Sequence, residues 1–396
     1  MSWQTRPVGE LFRVVNGGTP KTGVSAYWDG PHQWITPAEM GGLASPYLAE
    51  SRRTLTDEGL RVGAELVPSN SIILSSRAPI GHLVINDVPM AFNQGCKGLV
   101  PSGEVDTKFA YYFFLANVDL LESLGTGTTF KELSGGKLKE VAFHYPPIAE
   151  QHRIVALLDE AFEGIAIAKA AAQNNLGNAR ALFESYLESV FTLRGQGWVR
   201  KSLVELCEPD RIITYGVIKL GDETSRGVPC LRTSNVRWLH IETRDIKRIA
   251  SKLSQEYSRT ILKGGEVLVN VRGTLGGVAV ASTEMAGWNV SREVAVVPID
   301  STRIDPHFLS YLIASGTSQE WLGDVKKGAA YVGINIEDLR LLPVGVPSLP
   351  EQREIVSELD TIHAESQRLE SLYIRKLAAL DELKQSLLHQ AFSGQL

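Results

Sequence analysis

Residues 146–159 and 347–360 spell nearly the same segment, and a shift of 201 superposes them. Glu150 falls on Glu351, Gln151 on Gln352, Ile154 on Ile355, Val155 on Val356, Leu158 on Leu359 and Asp159 on Asp360. Weaker matches continue the repeat across most of the 396 residues. Arg77 falls on Arg272, Asp106 on Asp305, Phe109 on Phe308, Tyr112 on Tyr311 and Gly127 on Gly328, with the offset drifting from 195 to 201. Matches in one order at nearly one offset imply two copies of one unit. The period is too long for a solenoid repeat.

Residues 148–194 and 346–396 differ from the rest. After their first residues both lack proline and carry apolar positions at alternating spacings of three and four. The first seam reads Ile154, Leu158, Ala161, Ile165, Ala168, Ala172, Asn175, Ala179, Leu182 and Tyr186. The second reads Ile355, Leu359, Ile362, Ser366, Leu369, Tyr373, Lys376, Leu380, Leu383 and Leu387. This is a heptad pattern, and it predicts two long coiled-coil helices of about 65 Å at about 1.5 Å per residue. Pro147 and Pro350 suit helix entry. One such helix would suggest a homodimer zipper. Two in one chain favour an intramolecular antiparallel pair, with alanines facing larger residues.

Residues 1–147 and 195–345 have mixed patterning, with short β-rich runs between Gly and Pro punctuation. Examples are Ser71–Ser75, His82–Ile85, Glu266–Asn270 and Val294–Val297. Each stretch reads as one α+β domain. The division is therefore 1–147, a first globular domain; 148–194, a central helix; 195–345, a second domain; and 346–396, a terminal helix.

Known catalytic patterns are missing from the sequence. It has no Gly-x4-Gly-Lys-Ser/Thr, no Gly-x-Gly-x-x-Gly after a strand, no His-Glu-x-x-His and no Gly-x-Ser-x-Gly. Tyr145-Pro-Pro-Ile148 has the shape of an amino-methyltransferase motif but lacks its leading Asn or Asp. Three scattered cysteines show no zinc spacing. No run of about 18 apolar residues predicts a membrane span, and no secretory signal opens the sequence, so a cytoplasmic protein is expected.

Net charge is −5, but its distribution matters more. Residues 148–194 and 346–396 carry 9 basic and 14 acidic residues, which accounts for all of it. The domains are balanced and hold candidate DNA contacts. Thr19 and Lys21 lie in the loop Asn16-Gly-Gly-Thr-Pro-Lys21, and Arg77 and Arg272 each follow a β-run. Lys97 lies in Phe92-Asn-Gln-Gly-Cys-Lys-Gly98, which the second copy replaces with Trp288-Asn-Val-Ser-Arg-Glu293. Thr128 and Lys131 in one copy correspond to Lys326, Lys327 and Tyr331 in the other. Arg232, Asn235 and Arg237 complete the set. Arg suits guanine edges or phosphates, Asn suits base edges, and Lys and Thr suit phosphates.

The alternation of globular domain, Pro-x-x-x-Glu-Gln-x-x-Ile-Val-x-x-Leu-Asp segment and long helix, occurring twice, resembles the specificity subunits of type I restriction-modification systems. Leu182-Phe-Glu-Ser-Tyr-Leu187 and the terminal Gln390-Ala-Phe-Ser-Gly-Gln-Leu396 add to the resemblance, which covers the whole chain. It implies two target-recognition domains held by the helices, each reading half of a bipartite site in double-stranded DNA. It also implies two docked modification (methyltransferase) subunits that use S-adenosylmethionine on adenine N6. Two restriction (motor-nuclease) subunits that use ATP and Mg would join them. The chain itself would hold no cofactor or metal and would not be an enzyme. A protein-binding coiled-coil adaptor and a self-contained DNA-modifying enzyme are the rival readings.

Overall fold

A computed structural model describes residues 3–43, 45–77, 79–127, 131–194, 197–325 and 333–393. The chain forms two compact units: residues 1–172 with 375–396, and residues 173–374. Each therefore combines one globular domain with parts of both long helices.

In the first unit a five-stranded sheet runs in the order Phe12–Asn16, Cys96–Pro101, Ser71–Ser76, Ile80–Asn86, Tyr47–Leu48. A three-stranded sheet is ordered Arg53–Leu55, Trp28–Ile35, Met90–Phe92. The central strand Ser71–Ser76 is buried on both faces. Side chains alternate across a strand, so Ile72 and Leu74 meet Phe109 and Phe113 of the helix Thr107–Ala116, while Ile73 joins Ile35 and Phe92.

The second unit repeats this plan. Its four-stranded sheet is ordered Thr214–Tyr215, Val294–Val297, Val267–Asn270, Val278–Val280, and its three-stranded sheet Lys247–Ile249, Val228–Leu231, Asn289–Val290. Val267 and Val269 meet Phe308 and Leu312 of the helix Pro306–Ala314, and Leu268 faces Val290. The registers agree residue by residue. Lys97 pairs with Asn16 and Leu74, as Ala295 pairs with Tyr215 and Val269.

The repeated Glu-Gln segment joins each domain to a long helix. Gln151 is fully buried. Its Oε1 accepts from Asp106 N at 2.8 Å, and its Nε2 donates to the carbonyls of Glu104 and Pro146, both at 2.9 Å. Gln352 does the same with Asp305 N at 2.7 Å, Arg303 O at 3.2 Å and Pro347 O at 2.9 Å. Two turns on, Tyr112 donates to Asp159 and Tyr311 to Asp360, each at 2.5 Å. Ile154, Leu158, Ile355 and Leu359 are buried beside these bonds. The motif that defines the repeat is thus an intramolecular weld between domain and helix.

The long helices span Ile148–Ser189 and Leu349–Phe392. In the second unit they run antiparallel: Arg180 pairs with Glu370 at 3.2 Å, Phe183 stacks on His363 at 4.3 Å, and Tyr186 donates to Glu358 at 2.9 Å. In the first unit Lys169 pairs with Asp381 at 2.6 Å, and the Lys384 ammonium lies 5.1 Å from the Phe162 ring centre. The expected seam needs one correction. Phe183 is buried in place of Leu182, Leu176 lies deeper than Asn175, and Leu377 deeper than Lys376. A strict seven-residue repeat drifts on a helix of 3.6 residues per turn, and successive steps of four restore the contact face.

Candidate nucleic-acid interface

In the first unit three sequence-distant stretches converge. The backbone N–H groups of Gly17 and Gly18 donate to Cys96 O at 3.1 Å and Phe92 O at 2.9 Å. A Cβ at Gly17 would lie 1.8 Å from Asn93 O, so this close approach requires glycine. Trp34 Nε1 donates to Gly18 O at 3.0 Å and Trp28 Nε1 to Lys21 O at 3.3 Å, pinning the loop from behind. Thr19 donates to the Gln94 side-chain oxygen.

The segment after Phe92 forms a tight turn. Asn93 N donates to Ile35 O, Cys96 N to Asn93 O, and Ser76 N to Gly95 O, at 3.0, 3.0 and 2.8 Å. Arg77 emerges beside this turn with its side chain exposed, and a backbone bridge to Glu132 carries the Lys131 loop next to it. The result is a cleft of about 460 Å3 lined by Thr36, Pro37, Ala38, Arg77, Asn93, Gln94 and Gly95.

The second unit builds the same turn from different residues. Ser291 N donates to Leu231 O, Val294 N to Ser291 O, and Val271 N to Glu293 O, at 2.8, 3.0 and 2.9 Å. Val217 N donates to Val290 O at 2.9 Å, and a Cβ at Gly216 would lie 1.9 Å from that oxygen. Gly216-Val217 is therefore the counterpart of Gly17-Gly18, which the side chains around it conceal in the sequence. Arg272 bridges to Gly333 as Arg77 does to Glu132. Its guanidinium lies 5.9 Å from the Tyr215 ring centre. The positions of Thr36, Asn93 and Gln94 are occupied by Arg232, Ser291 and Arg292, so this rim carries three arginines where the other carries one.

The structure sorts the residues singled out in the sequence. Lys21, Arg77, Lys131, Arg237 and Arg272 are exposed, and Thr19 is half-buried at the cleft. Lys97 is only 6 % exposed, within the strand Cys96–Pro101. Asn235 is 2 % exposed. Its Oδ1 accepts from Arg232 N at 3.0 Å and its Nδ2 donates to Glu242 O at 3.2 Å, so it brackets a loop. Glu39 performs the same task in the first unit, accepting from Thr36 N at 3.0 Å. The Lys97 and Asn235 side chains therefore lie within the protein rather than at its exposed surface. Arg232 is partly engaged, donating to Asp245 O at 2.8 Å. Thr128, Lys326, Lys327 and Tyr331 lie outside the described residues.

Among the described residues no group of His, Cys, Asp and Glu could hold a metal ion. Burial pushes the thiols of Cys96, Cys207 and Cys230 up to about 12, so they are poor nucleophiles at neutral pH. No helix among these residues is long and apolar enough to cross a membrane.

The fold and its paired turns define a duplicated scaffold with one framework and two different rims. The family described as the type I restriction modification DNA specificity domain matches residues 1–176 and 186–374, and the chain belongs to it. Among its relatives, the type I restriction enzyme MjaIX specificity subunit of Methanocaldococcus jannaschii is 26 % identical over 88 % of this chain and 84 % of its own. The EcoBI specificity subunit of Escherichia coli is 24 % identical over 78 % of this chain and 70 % of its own. Solved structures share the fold. The HsdS subunit from Thermoanaerobacter tengcongensis superposes with a TM-score of 0.65 and 19 % identity, covering 100 % of this chain and 97 % of that one. A chain from work on assembly and conformational transition of the type I R-M system reaches 0.75 at 18 % identity, covering 100 % and 98 %.

Proposed function

We propose that each unit reads one half of a bipartite double-stranded DNA site, and that the long helices fix the gap between the halves. One observation carries this reading: two turns share a framework in register yet differ at the rim. Identical rims would suit a repeated sequence, whereas different rims suit two unlike half-sites. The acidic helices suit protein partners better than phosphate. Leu182 and Leu383, at equivalent places in the repeat, are 42 and 46 % exposed and could seat two identical modification subunits. In this reading S-adenosylmethionine, ATP and Mg belong to the modification and restriction subunits, and the chain positions DNA in the cytoplasm without catalysing a step. Target adenines would be flipped into the partners' sites, since a stacked base is out of reach.

Selection from random DNA by the chain with its modification subunits is expected to return two short blocks separated by a fixed gap. A single block, or no preference, would overturn the reading and favour an adaptor. Methyl transfer by the purified chain alone would overturn its non-catalytic part.

A further inference from the structure

We infer that Gln94 and Arg292 set the difference in base preference between the two units, Gln94 reading an adenine and Arg292 a guanine. The inference rests on the bipartite reading above and assigns residues within it.

The two side chains occupy one structural position. Cys96 pairs with Ser75 and Val294 with Asn270, which fixes the strand that follows the turn. Ile35 pairs with Phe92 and Leu231 with Val290, which fixes the strand that precedes it. Between them the hydrogen bonds of Asn93 and Ser291, and of Gly95 and Glu293, correspond one to one. Gln94 and Arg292 are the second residues of this shared turn, and both are exposed.

The neighbours divide the labour. Arg77 and Arg272 are the same residue at the same position, so they cannot by themselves distinguish two half-sites. A phosphate contact, which orients DNA without reading it, suits them. Arg232 is already bonded to Asp245 O, and Thr36 lies in a capping box with Glu39. Arg292, by contrast, has no side-chain hydrogen bond or ion pair among the described residues. Its planar fork is free to bond guanine O6 and N7 together. Gln94 is oriented by Thr19, which donates to its Oε1. That oxygen keeps a second lone pair and the Nε2 keeps both N–H groups. This is the donor and acceptor pair that matches adenine N6 and N7.

The test compares sites selected from random DNA by the complete chain, assembled with its modification subunits, for the wild type, Arg292→Gln, Arg292→Lys and Gln94→Arg. Thermal unfolding of each variant confirms that it is folded. Arg292→Gln is expected to lose a guanine preference of roughly 5- to 150-fold at one base pair of one half-site, and Arg292→Lys, which can still donate to guanine, to keep part of it. Gln94→Arg is expected to turn an adenine into a guanine at one base pair of the other half. The gap and the remaining bases should stay constant. Retention of the wild-type site by either Arg292→Gln or Gln94→Arg would overturn the assignment. So would a uniform loss of binding by folded Arg292→Gln with the guanine preference unchanged, since that marks a phosphate contact. A wild-type selection without two blocks would instead sink the bipartite reading itself.

Discussion

The two rims teach more together than either does alone. In the first unit a glycine loop, a turn and one arginine frame a rim of Thr36, Asn93 and Gln94. In the second the same backbone bonds frame Arg232, Ser291 and Arg292. Framework bonds run between backbone groups or through side chains such as half-buried Glu39 and buried Asn235. Among the described residues the Gln94 and Arg292 side chains bond no backbone group of that framework, so these two positions can differ at little cost to folding. A duplicated fold can thereby diverge at its rims while keeping its framework.

The largest effect tests whether the welds are equivalent. Gln151→Leu leaves one N–H and two carbonyls without partners in a buried site, and Gln352→Leu does the same in the other unit. Each should cost about 3 kcal/mol or more, at about 1–3 kcal/mol for each of the three unsatisfied groups. Denaturant unfolding of both variants would check this. Similar losses sustain the comparison, and a loss confined to one variant breaks it.

A smaller effect is expected two turns further along. Tyr112→Phe and Tyr311→Phe each remove a hydrogen bond to a carboxylate, worth about 1.5–3 kcal/mol. Tyr112→Phe should cost less, because Lys108 still holds Asp159 at 2.6 Å. Thermal unfolding of the pair would rank them, and the reverse order would contradict the assignment of partners.

The smallest effect sharpens a difference between the helix segments. Glu358 is held below the usual carboxylate range, first by the Tyr186 hydroxyl and then by Arg194. Its counterpart in the repeat is Leu157. A depressed carboxylate stabilises the fold above its unfolded pKa and loses that contribution as pH falls through the folded value. This stabilisation should therefore fade below about pH 4.3. It should amount to less than about 1 kcal/mol after solvent screening. Unfolding midpoints of Glu358→Gln and wild type should differ at pH 7 and converge on acidification. A constant difference would contradict the ion-pair account.

Much of this fold was legible in the sequence because it rests on spacing. The repeat, the helices and the β-runs around Ile72 and Leu268 follow from periodicity and burial. Gln151 and Gln352 were legible as repeated residues but not as welds, since their partners are backbone groups of distant segments. Gly216-Val217 was hidden because a backbone contact fixes its place while its neighbours share little with Asn16 and Thr19. Lys97 and Asn235 look like DNA contacts by residue type, and only burial shows what surrounds them. Leu182 and Leu383 fit a strict heptad, yet helical drift turns them outward.

The central claim is that one framework carries two independent rims. Ser291 is buried and belongs to the framework, so the most direct test transplants the accessible part of a rim with the double substitution Arg232→Thr and Arg292→Gln. The methylated sites produced by this chain with its modification subunits would then be sequenced. The expected result is that one half-site comes to resemble the other at the positions these residues read, with the second half and the gap unchanged. A folded variant that methylates the wild-type site, or one that changes both halves together, would contradict the account.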